Sequence, residues 1–338
     1  MRLALVLTHA CDLRCRYCYT GEKKGVHMNL ATARRALDLG FANPGAVLHL
    51  SFFGGEPLLN WSVLEATAMD ALARGAAQGV PLTLQVTTNG SLLDQARAER
   101  LHELGVYVAL SFDGEAQDAT RPRADGSPSS QGVRRALDVL LEGPETFSVI
   151  LVVDPATVDT MAGSVRTLFD KGVERVVLNP NWGAAWRDAD LERWAAAYRT
   201  IAAVQLAWAR RGRVVSVEPL DTAVQARAKG RRDLGERCDA GLNSVAVAPS
   251  GRLYGCGRQV GEDDGRFAIG TLDGGVIVAA AGHAAGAVPS ECEACGASPR
   301  CERHCACACR EETGNPTRPG PILCWHQHLL ESLTCVEP

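Results

Sequence analysis

Apolar residues along the first half of this chain fall into two alternating patterns. Short runs rich in branched side chains occur at Arg2–Leu7, Val47–Phe53, Leu82–Thr87, Val106–Ser111, Phe147–Val153 and Arg175–Leu178. Runs of that length and composition predict strands buried in a parallel sheet. Between them lie segments with helical spacing at Leu30–Phe41, Trp61–Gln78, Leu92–Leu104, Ser130–Glu142 and Thr157–Lys171. Asn29, Asn60 and Ser91 stand where helix N-caps are expected, and Gly79, Gly105 and Gly172 where helices end. Strand and helix alternating six times predicts a parallel sheet with right-handed crossovers. Six such units are too few for a closed barrel of eight. The expected fold is therefore α/β, a partial (β/α)6 TIM-like barrel over residues 1–180.

The pattern then changes. Residues 181–235 read as a bridge, with a helix at Leu191–Arg211 and a strand at Val214–Val217. From residue 236 to 338 periodicity fades and Cys, Gly and Pro dominate; Val278–Ala287 reads as a loop or weak helix. A segment so poor in large apolar side chains needs stabilisation from elsewhere, and metal sites supply it. No internal repeat or low-complexity tract interrupts this three-part layout.

Composition narrows the classes. The chain has 338 residues, 46% apolar, and a net charge of −4. It has no long basic block, which disfavours nucleic acid and anionic membranes as partners. Apolar runs such as Val149–Val153 are far too short to span a bilayer. No cleavable signal pattern precedes the first strand, which predicts a cytoplasmic location. Of the 13 cysteines, three lie at the N-terminus and none between Cys18 and Cys238. Cysteines that staple a fold are rarely so clustered; in an intracellular chain clusters read as metal or redox sites.

Chemistry-bearing residues gather after the strands, where parallel α/β folds place their sites. Cys11, Cys15 and Cys18 follow the first strand, Gly54-Gly55-Glu56-Pro57 the second, and Thr87-Thr88-Asn89-Gly90 the third. Ser111-Phe112-Asp113-Gly114 follows the fourth and Asn179-Pro180-Asn181 the sixth. A cubane iron–sulfur cluster normally takes four thiolates. Three in one loop leave an iron open for chemistry, although part of a zinc site or three buried thiols would also satisfy the spacing.

The C-x3-C-x2-C spacing followed by aromatic Tyr19 resembles the signature of the radical S-adenosylmethionine (SAM) superfamily. That resemblance implies a 4Fe–4S cluster on Cys11, Cys15 and Cys18, with SAM on its open iron. It implies that Gly54, Gly55 and Glu56 receive the SAM amino group and that Tyr19 borders the adenine. Ser111 and Arg121 resemble the family's polar contacts to carboxylate and ribose; Asn89 and Asn179 complete the expected cofactor contacts. Gln117-Asp118-Ala119-Thr120-Arg121 resembles a family H-D-x-x-R segment with Gln in place of His.

Toward the C-terminus, Cys238, Gly251 and Cys256 precede Cys292-x2-Cys295-x5-Cys301-x3-Cys305 and Cys324. This arrangement is similar to the SPASM domain of peptide- and protein-modifying members, and the resemblance covers nearly the whole chain. It implies two auxiliary clusters, one on Cys238, Cys256 and Cys305, the other on Cys292, Cys295, Cys301 and Cys324, hence three 4Fe–4S clusters in all. Taken alone, Cys292–Cys305 also suits a zinc knot. A cysteine found in some relatives before the first position is missing, so the first auxiliary cluster has an open iron or borrows Cys307, Cys309 or a non-cysteine ligand; Cys307, Cys309 and Cys335 otherwise have no assigned role and read as free thiols. Sulfatase-maturing members place an Asp directly after the cysteine matching Cys256, where this chain has Gly257; formylglycine formation is therefore disfavoured. Asp113 and Asp118 are weak candidates for a catalytic base. Asp263, Asp264, His283, His304, His326 and His328 are further possible proton carriers that nothing selects.

The resemblance thus implies an oxidoreductase of ribosomally made peptide (RiPP) biosynthesis. It would reductively cleave SAM to a 5′-deoxyadenosyl radical and form a side-chain crosslink or a thioether in a precursor peptide. Flavodoxin or ferredoxin would supply the electron. The first strand begins at residue 2, which predicts that a separate leader-binding protein presents the precursor or that the barrel and C-terminal region recognise it directly. Two other classes remain: a radical SAM dehydrogenase of a small molecule, and a non-catalytic electron-transfer or zinc-structural protein.

Overall fold

The computed structural model describes residues 1–338 except 43, 233–237, 239, 277–289, 302–304 and 335–338. In chain order its elements are β1 (Arg2–Val6), α1 (Leu30–Ala42), β2 (Leu48–Phe53), α2 (Trp61–Gln78), β3 (Leu82–Thr88), α3 (Gln95–Glu103), β4 (Val106–Ser111), α4 (Gln117–Thr120), α5 (Ser130–Glu142), β5 (Ser148–Val153), α6 (Val158–Lys171) and β6 (Arg175–Pro180). They continue as α7 (Asp188–Arg210), β7 (Ser216–Glu218), α8 (Leu220–Lys229), β8 (Ser244–Val247), β9 (Arg252–Tyr254), α9 (Gly257–Val260), β10 (Ala268–Thr271), β11 (Gly275–Val276), α10 (Ser290–Glu293), α11 (Ala306–Thr313) and α12 (Pro321–Leu333). They form two compact units, the first of residues 1–111, 121–147 and 239–282, the second of 112–120, 148–238 and 283–338.

In the first unit the strand order is β11-β10-β9-β8-β1-β2-β3-β4, parallel from β8 through β4. β2 shows why the sequence forms a strand: Leu48, Leu50 and Phe52 are buried on one face while His49 points out. Each such leucine contributes about 2 kcal/mol of hydrophobic stabilisation. Leu3, Leu5 and Leu7 of the β1 segment lie in the same unit's core. Residues beyond 240, where sequence periodicity had faded, add a second small core to β1. Val6 packs there with Ala246, Ala248, Tyr254 and Val260. Residues of the last expected segment fall into both compact units.

Helix ends agree with the sequence only in part. Gly79 closes α2 at φ 65°, in the left-handed region that glycine tolerates best. Asn29 caps α1 by accepting from the Thr32 N–H at 2.8 Å. Asn60 does not cap α2; its amide donates to the carbonyls of Leu7 and Met28 at 2.9 and 2.8 Å. Ser91 does not cap α3 either. That helix starts later, with the Asp94 carboxylate accepting from the Arg97 N–H at 2.9 Å.

In the second unit β5, β6 and β7 pair in parallel, and α6 and α7 supply much of its apolar interior. Trp194, Tyr198 and Ile201 of α7 are wholly buried. Trp194 stacks on Trp186 with centroids 4.5 Å apart and lies 5.1 Å from the rings of Trp325 and His326.

Candidate functional site

Three strand-end loops of the first unit interlock. The chain leaving β2 zips onto the chain leaving β1: Gly55 N–H donates to the Thr8 carbonyl at 2.8 Å and Glu56 N–H to the Ala10 carbonyl at 2.9 Å. Both glycines are sterically required. A Cβ on Gly54 would stand 2.4 Å from the Thr8 oxygen, and one on Gly55 2.1 Å from the Ala10 oxygen. Gly54 also has φ 137°. This contact fixes the root of the loop that carries Cys11.

Glu56 is fully buried. Its Oε1 accepts from Leu58 N–H at 3.0 Å and Thr88 Oγ1–H at 2.7 Å, and its Oε2 from Asn89 N–H at 2.7 Å. Burial pushes the carboxyl up to about 7, against the pull of those three donors. Asn89, itself buried, turns its amide toward Asp12 Oδ1 at 2.9 Å and Cys11 Sγ at 3.8 Å. Asp12 holds a third segment: its carbonyl accepts from Ala124 N–H at 2.9 Å, and its carboxylate lies 3.8 Å from Arg123. Glu56, Asn89, Asp12 and Arg123 thus link the ends of β1, β2 and β3 to the segment before α5.

The three thiols of the loop are half-buried, and no described cysteine forms a disulfide. Burial pushes the Cys11 thiol up to about 12, opposed by the Leu13 N–H at 3.4 Å from its sulfur. Burial also works against ionisation of Cys18, but hydrogen bonds from Lys23, 2.8 Å from its sulfur, and Thr20 outweigh it and the net shift is downward. The segment after Cys18 is tied down by Glu262, which accepts from Glu22 N–H at 3.1 Å and pairs with Lys24 at 2.8 Å. Soft thiolates alone in one loop are the donor set for iron–sulfur or zinc chemistry. Among the described residues no three His, Cys, Asp or Glu side chains gather around a single-ion site. Cluster thiolates each bind a different iron, so their donor set is spread more widely than that of one ion.

Other expected residues fall as follows. Tyr19 stacks on Phe53 with centroids 6.5 Å apart, and the Arg258 guanidinium lies 5.2 Å from its ring centroid. Arg121 is buried, 5.2 Å from the Tyr17 ring centroid, and its carbonyl accepts from Ser129 Oγ–H at 2.6 Å. Ser111 ends β4, half-buried. Asn179 belongs to the second unit, exposed on β6. Asp113, also there, is buried and engaged by Thr120 Oγ1–H at 2.7 Å and Val152 N–H at 3.0 Å. Asp118 is exposed. Gln117, the departure from the family's His, accepts from Asp113 N–H at 3.0 Å. Asp263 takes the Tyr254 hydroxyl at 2.8 Å, and Asp264 takes Arg266 N–H at 2.9 Å. His326 is buried with its imidazole pushed down to about 3 by desolvation.

Of the later cysteines, Cys256 lies in the first unit, where it precedes α9. Cys238, Cys292, Cys295, Cys301, Cys305 and Cys324 lie in the second. Burial raises the Cys324 thiol, and Cys292, Glu312 and Cys295 raise it further. Cys309, wholly buried one turn beyond Cys305, is pushed up to about 12 by burial, with Cys305, Glu312 and Cys324 adding to it. Cys307 is buried beside it on α11. His283, His304, Cys335 and the run Val278–Ala287 lie outside the described residues.

Sequence reasoning passed over Asp12, Thr88, Lys23, Tyr17 and Arg258. Only Thr88 carried a signal, as part of the polar run after β3.

Residues 5–168 match the radical SAM superfamily. A radical SAM domain therefore spans that stretch. An uncharacterised protein of Methanocaldococcus jannaschii is 30% identical to this chain over 175 residues, 52% of this chain and 60% of that one. A serine-type anaerobic sulfatase-maturating enzyme of Klebsiella aerogenes is 26% identical over 292 residues, covering 80% of this chain and 69% of its own. Among solved structures, anSMEcpe with bound AdoMet superposes with a TM-score of 0.82 at 16% identity, over 98% of this chain and 96% of that one. Streptococcus suis SuiB bound to precursor peptide SuiA gives 0.66 at 15% identity, over 96% and 75%. Likeness at that identity speaks to fold: a mixed α/β architecture with a parallel sheet, of the partial-barrel type expected from the strand–helix alternation. No described helix is long and apolar enough to cross a membrane.

Proposed function

We propose that this radical SAM enzyme is a peptide maturase that oxidatively modifies a ribosomally made precursor. Cys11, Cys15 and Cys18 would hold a 4Fe–4S cluster, and Gly54, Gly55, Glu56, Asn89, Ser111, Arg121 and Tyr19 would line the SAM site, with Asn179 as a further contact. Cys238, Cys256 and Cys305 would hold one auxiliary cluster and Cys292, Cys295, Cys301 and Cys324 another. The observation that carries the reading is the interlock of the three-thiol loop with a fully buried carboxylate, Glu56, on the adjoining strand end.

A cluster held by Cys11, Cys15 and Cys18 with SAM beside it would supply radical chemistry able to activate an otherwise unreactive C–H bond. The chain's own groups bind and orient. Ionised Glu56 would pair with the cofactor's ammonium, a charge-assisted contact that draws the raised carboxyl back toward ionisation. Asn89 and Asp12 hold the Cys11 loop at fixed register against β3. Arg121, kept in place over Tyr17, offers a guanidinium suited to a carboxylate. Burial of this set excludes water from a reactive site. Among the relatives, sulfatase maturation and the precursor-bound SuiB structure favour a peptide over a small molecule as substrate. A flavodoxin or ferredoxin would supply electrons, and a separate leader-binding protein is a further partner.

The test is anaerobic co-expression with a short peptide encoded beside the gene, read by the peptide's mass. Loss of two hydrogens per site, absent when Cys11, Cys15 and Cys18 are all changed to Ala, is expected. An unchanged peptide alongside confirmed SAM cleavage refutes the assignment of that peptide and turns the reading toward a small-molecule dehydrogenase.

A further inference from the structure

The second unit carries an apolar groove of about 700 Å³. Ala202, Leu206 and Ala209 of α7 form one wall, Leu220 and Val224 of α8 another, and Val214, Val215 and Leu333 close it. Leu206 is 50% exposed, Val214 88% and Val224 55%. Three exposed apolar side chains converging on a concavity mark a docking surface rather than scattered surface hydrophobics.

The charge around it is one-sided. Residues 199–231 carry seven Lys and Arg against two acids, Glu218 and Asp221, in a chain whose net charge is −4. All seven cations are exposed. Arg199 lines the groove; Arg210, Arg211 and Arg213 stand at the end of α7 beside Val214, and Arg227 and Lys229 in the last turn of α8 beyond Val224. The guanidinium groups of Arg211 and Arg213 lie 5.6 and 4.6 Å from the Trp208 ring centroid, which gives them defined positions. Arg227 pairs with Glu331 at 3.7 Å, while Arg211 and Arg213 stay exposed over Trp208. The two acids are half-buried and engaged: Asp221, which lines the groove, accepts from Gln205 and from Val217 N–H, and Glu218 from the Thr222 hydroxyl.

We propose that this groove docks an acidic amphipathic helix of the precursor peptide, in a part of it remote from the residues that are modified. The inference rests on the peptide-maturase reading. Apolar grooves take helices through anchors at i, i+3, i+4 and i+7. The wall from Arg199 to Ala209 runs for roughly 15 Å, enough for about three helical turns. A cationic rim steers an acidic helix into place and rejects a basic one.

The experiment uses the full chain and two fluorescein-labelled helical peptides of ~15 residues. One has leucines at the anchor spacing and glutamate elsewhere; the other replaces every glutamate by lysine. Anisotropy is read for wild type, Leu206→Glu/Val224→Glu and Arg211→Glu/Arg213→Glu, all at exposed positions, with folding checked by melting. Expected is binding of the acidic peptide only, weakened roughly tenfold or more by either double variant and by raising salt from about 0.05 to about 0.5 M. Equal binding of both peptides, no binding, or indifference to both variants overturns the proposal. So does concentration-dependent self-association abolished by Leu206→Glu, which would make the occupant a second copy, or capture by anionic vesicles in place of the peptide. If docking holds but no co-expressed peptide is oxidised, the maturase reading fails while the surface stands. If peptide oxidation is unaffected by the same variants, the docking role fails alone.

Discussion

Replacing Glu56 by Gln separates two opposing effects by their pH dependence. The buried carboxyl is moved from 4.5 to about 7. At about 1.4 kcal/mol per pH unit, that displacement is worth roughly 3 kcal/mol. The folded pKa lies above the unfolded one, so between 4.5 and about 7 the folded protein holds a proton that the unfolded chain has lost. Stability is therefore complete below 4.5 and falls as pH rises through about 7. Gln carries no such linkage, but it has a different defect. Donors from Leu58, Thr88 and Asn89 converge on the two carboxylate oxygens. An amide in that place sets an NH2 against a donor, a pH-independent cost of about 1–3 kcal/mol. The variant is expected to be less stable than wild type near pH 4.5 and to gain on it by roughly 3 kcal/mol by pH 8. For a chain of this length that gain is about 4 °C in melting temperature. Paired thermal melts of wild type and Glu56→Gln across this range measure it. A melting-temperature difference that stays constant from pH 4.5 to 8 refutes the argument, because the carboxyl would then titrate alike in both states.

Two further perturbations test the interlock and the second unit's interior. Gly55→Ala places a Cβ 2.1 Å from the Ala10 carbonyl oxygen, a backbone atom that cannot step aside; the variant should lose roughly 3 kcal/mol or more and fail to retain iron, checked by denaturant melts and iron content. His326, pushed down to about 3, should show no imidazole titration by NMR between pH 8 and 5. Its folded pKa is below the unfolded 6.5, so it removes stability as pH falls through 6.5, and His326→Phe should flatten that acid slope.

The strand–helix ladder was legible because each unit is local. A short branched run makes a buried strand, and a glycine at a left-handed position stops the helix that follows. Asn60 and Ser91 misled because capping competes with distant partners. The Asn60 amide satisfies two carbonyls, on Leu7 and Met28, that are far from it in sequence. β8 to β11 were illegible for a related reason. They are two to four residues long and are held by the pairing of β8 with β1, by their pairing with one another and by the small core around Tyr254, not by any pattern of their own. At the candidate site the cysteines, the glycine pair, Glu56 and Asn89 were readable from composition at strand ends. Asp12, Lys23 and Arg258 were not, since a lone charge acquires meaning only through what the fold sets beside it.

Gly257 offers a cleaner test of chemistry than any loss of a ligand. By the resemblance drawn from the sequence, sulfatase-maturing members are expected to carry an Asp there, and packing does not forbid one here. A Cβ at Gly257 would meet only Phe53, at 3.8 Å, an ordinary contact, and its backbone is not left-handed. It opens α9, where a carboxylate near the free N–H groups is tolerated. Gly257→Asp should therefore leave stability within about 0.5 kcal/mol of wild type. Glycine at this position is then a matter of reaction, not of space. The wild-type protein, offered a sulfatase-type peptide with a target serine or cysteine, should form no aldehyde, read by mass and by capture with a hydrazide. Aldehyde formation by wild type would refute the inference that a base beside Cys256 is needed, and would return sulfatase maturation to the functions open to this chain. A gain of aldehyde in Gly257→Asp alone would show that one carboxylate, set on an unchanged scaffold, decides between that oxidation and the modification of a different peptide.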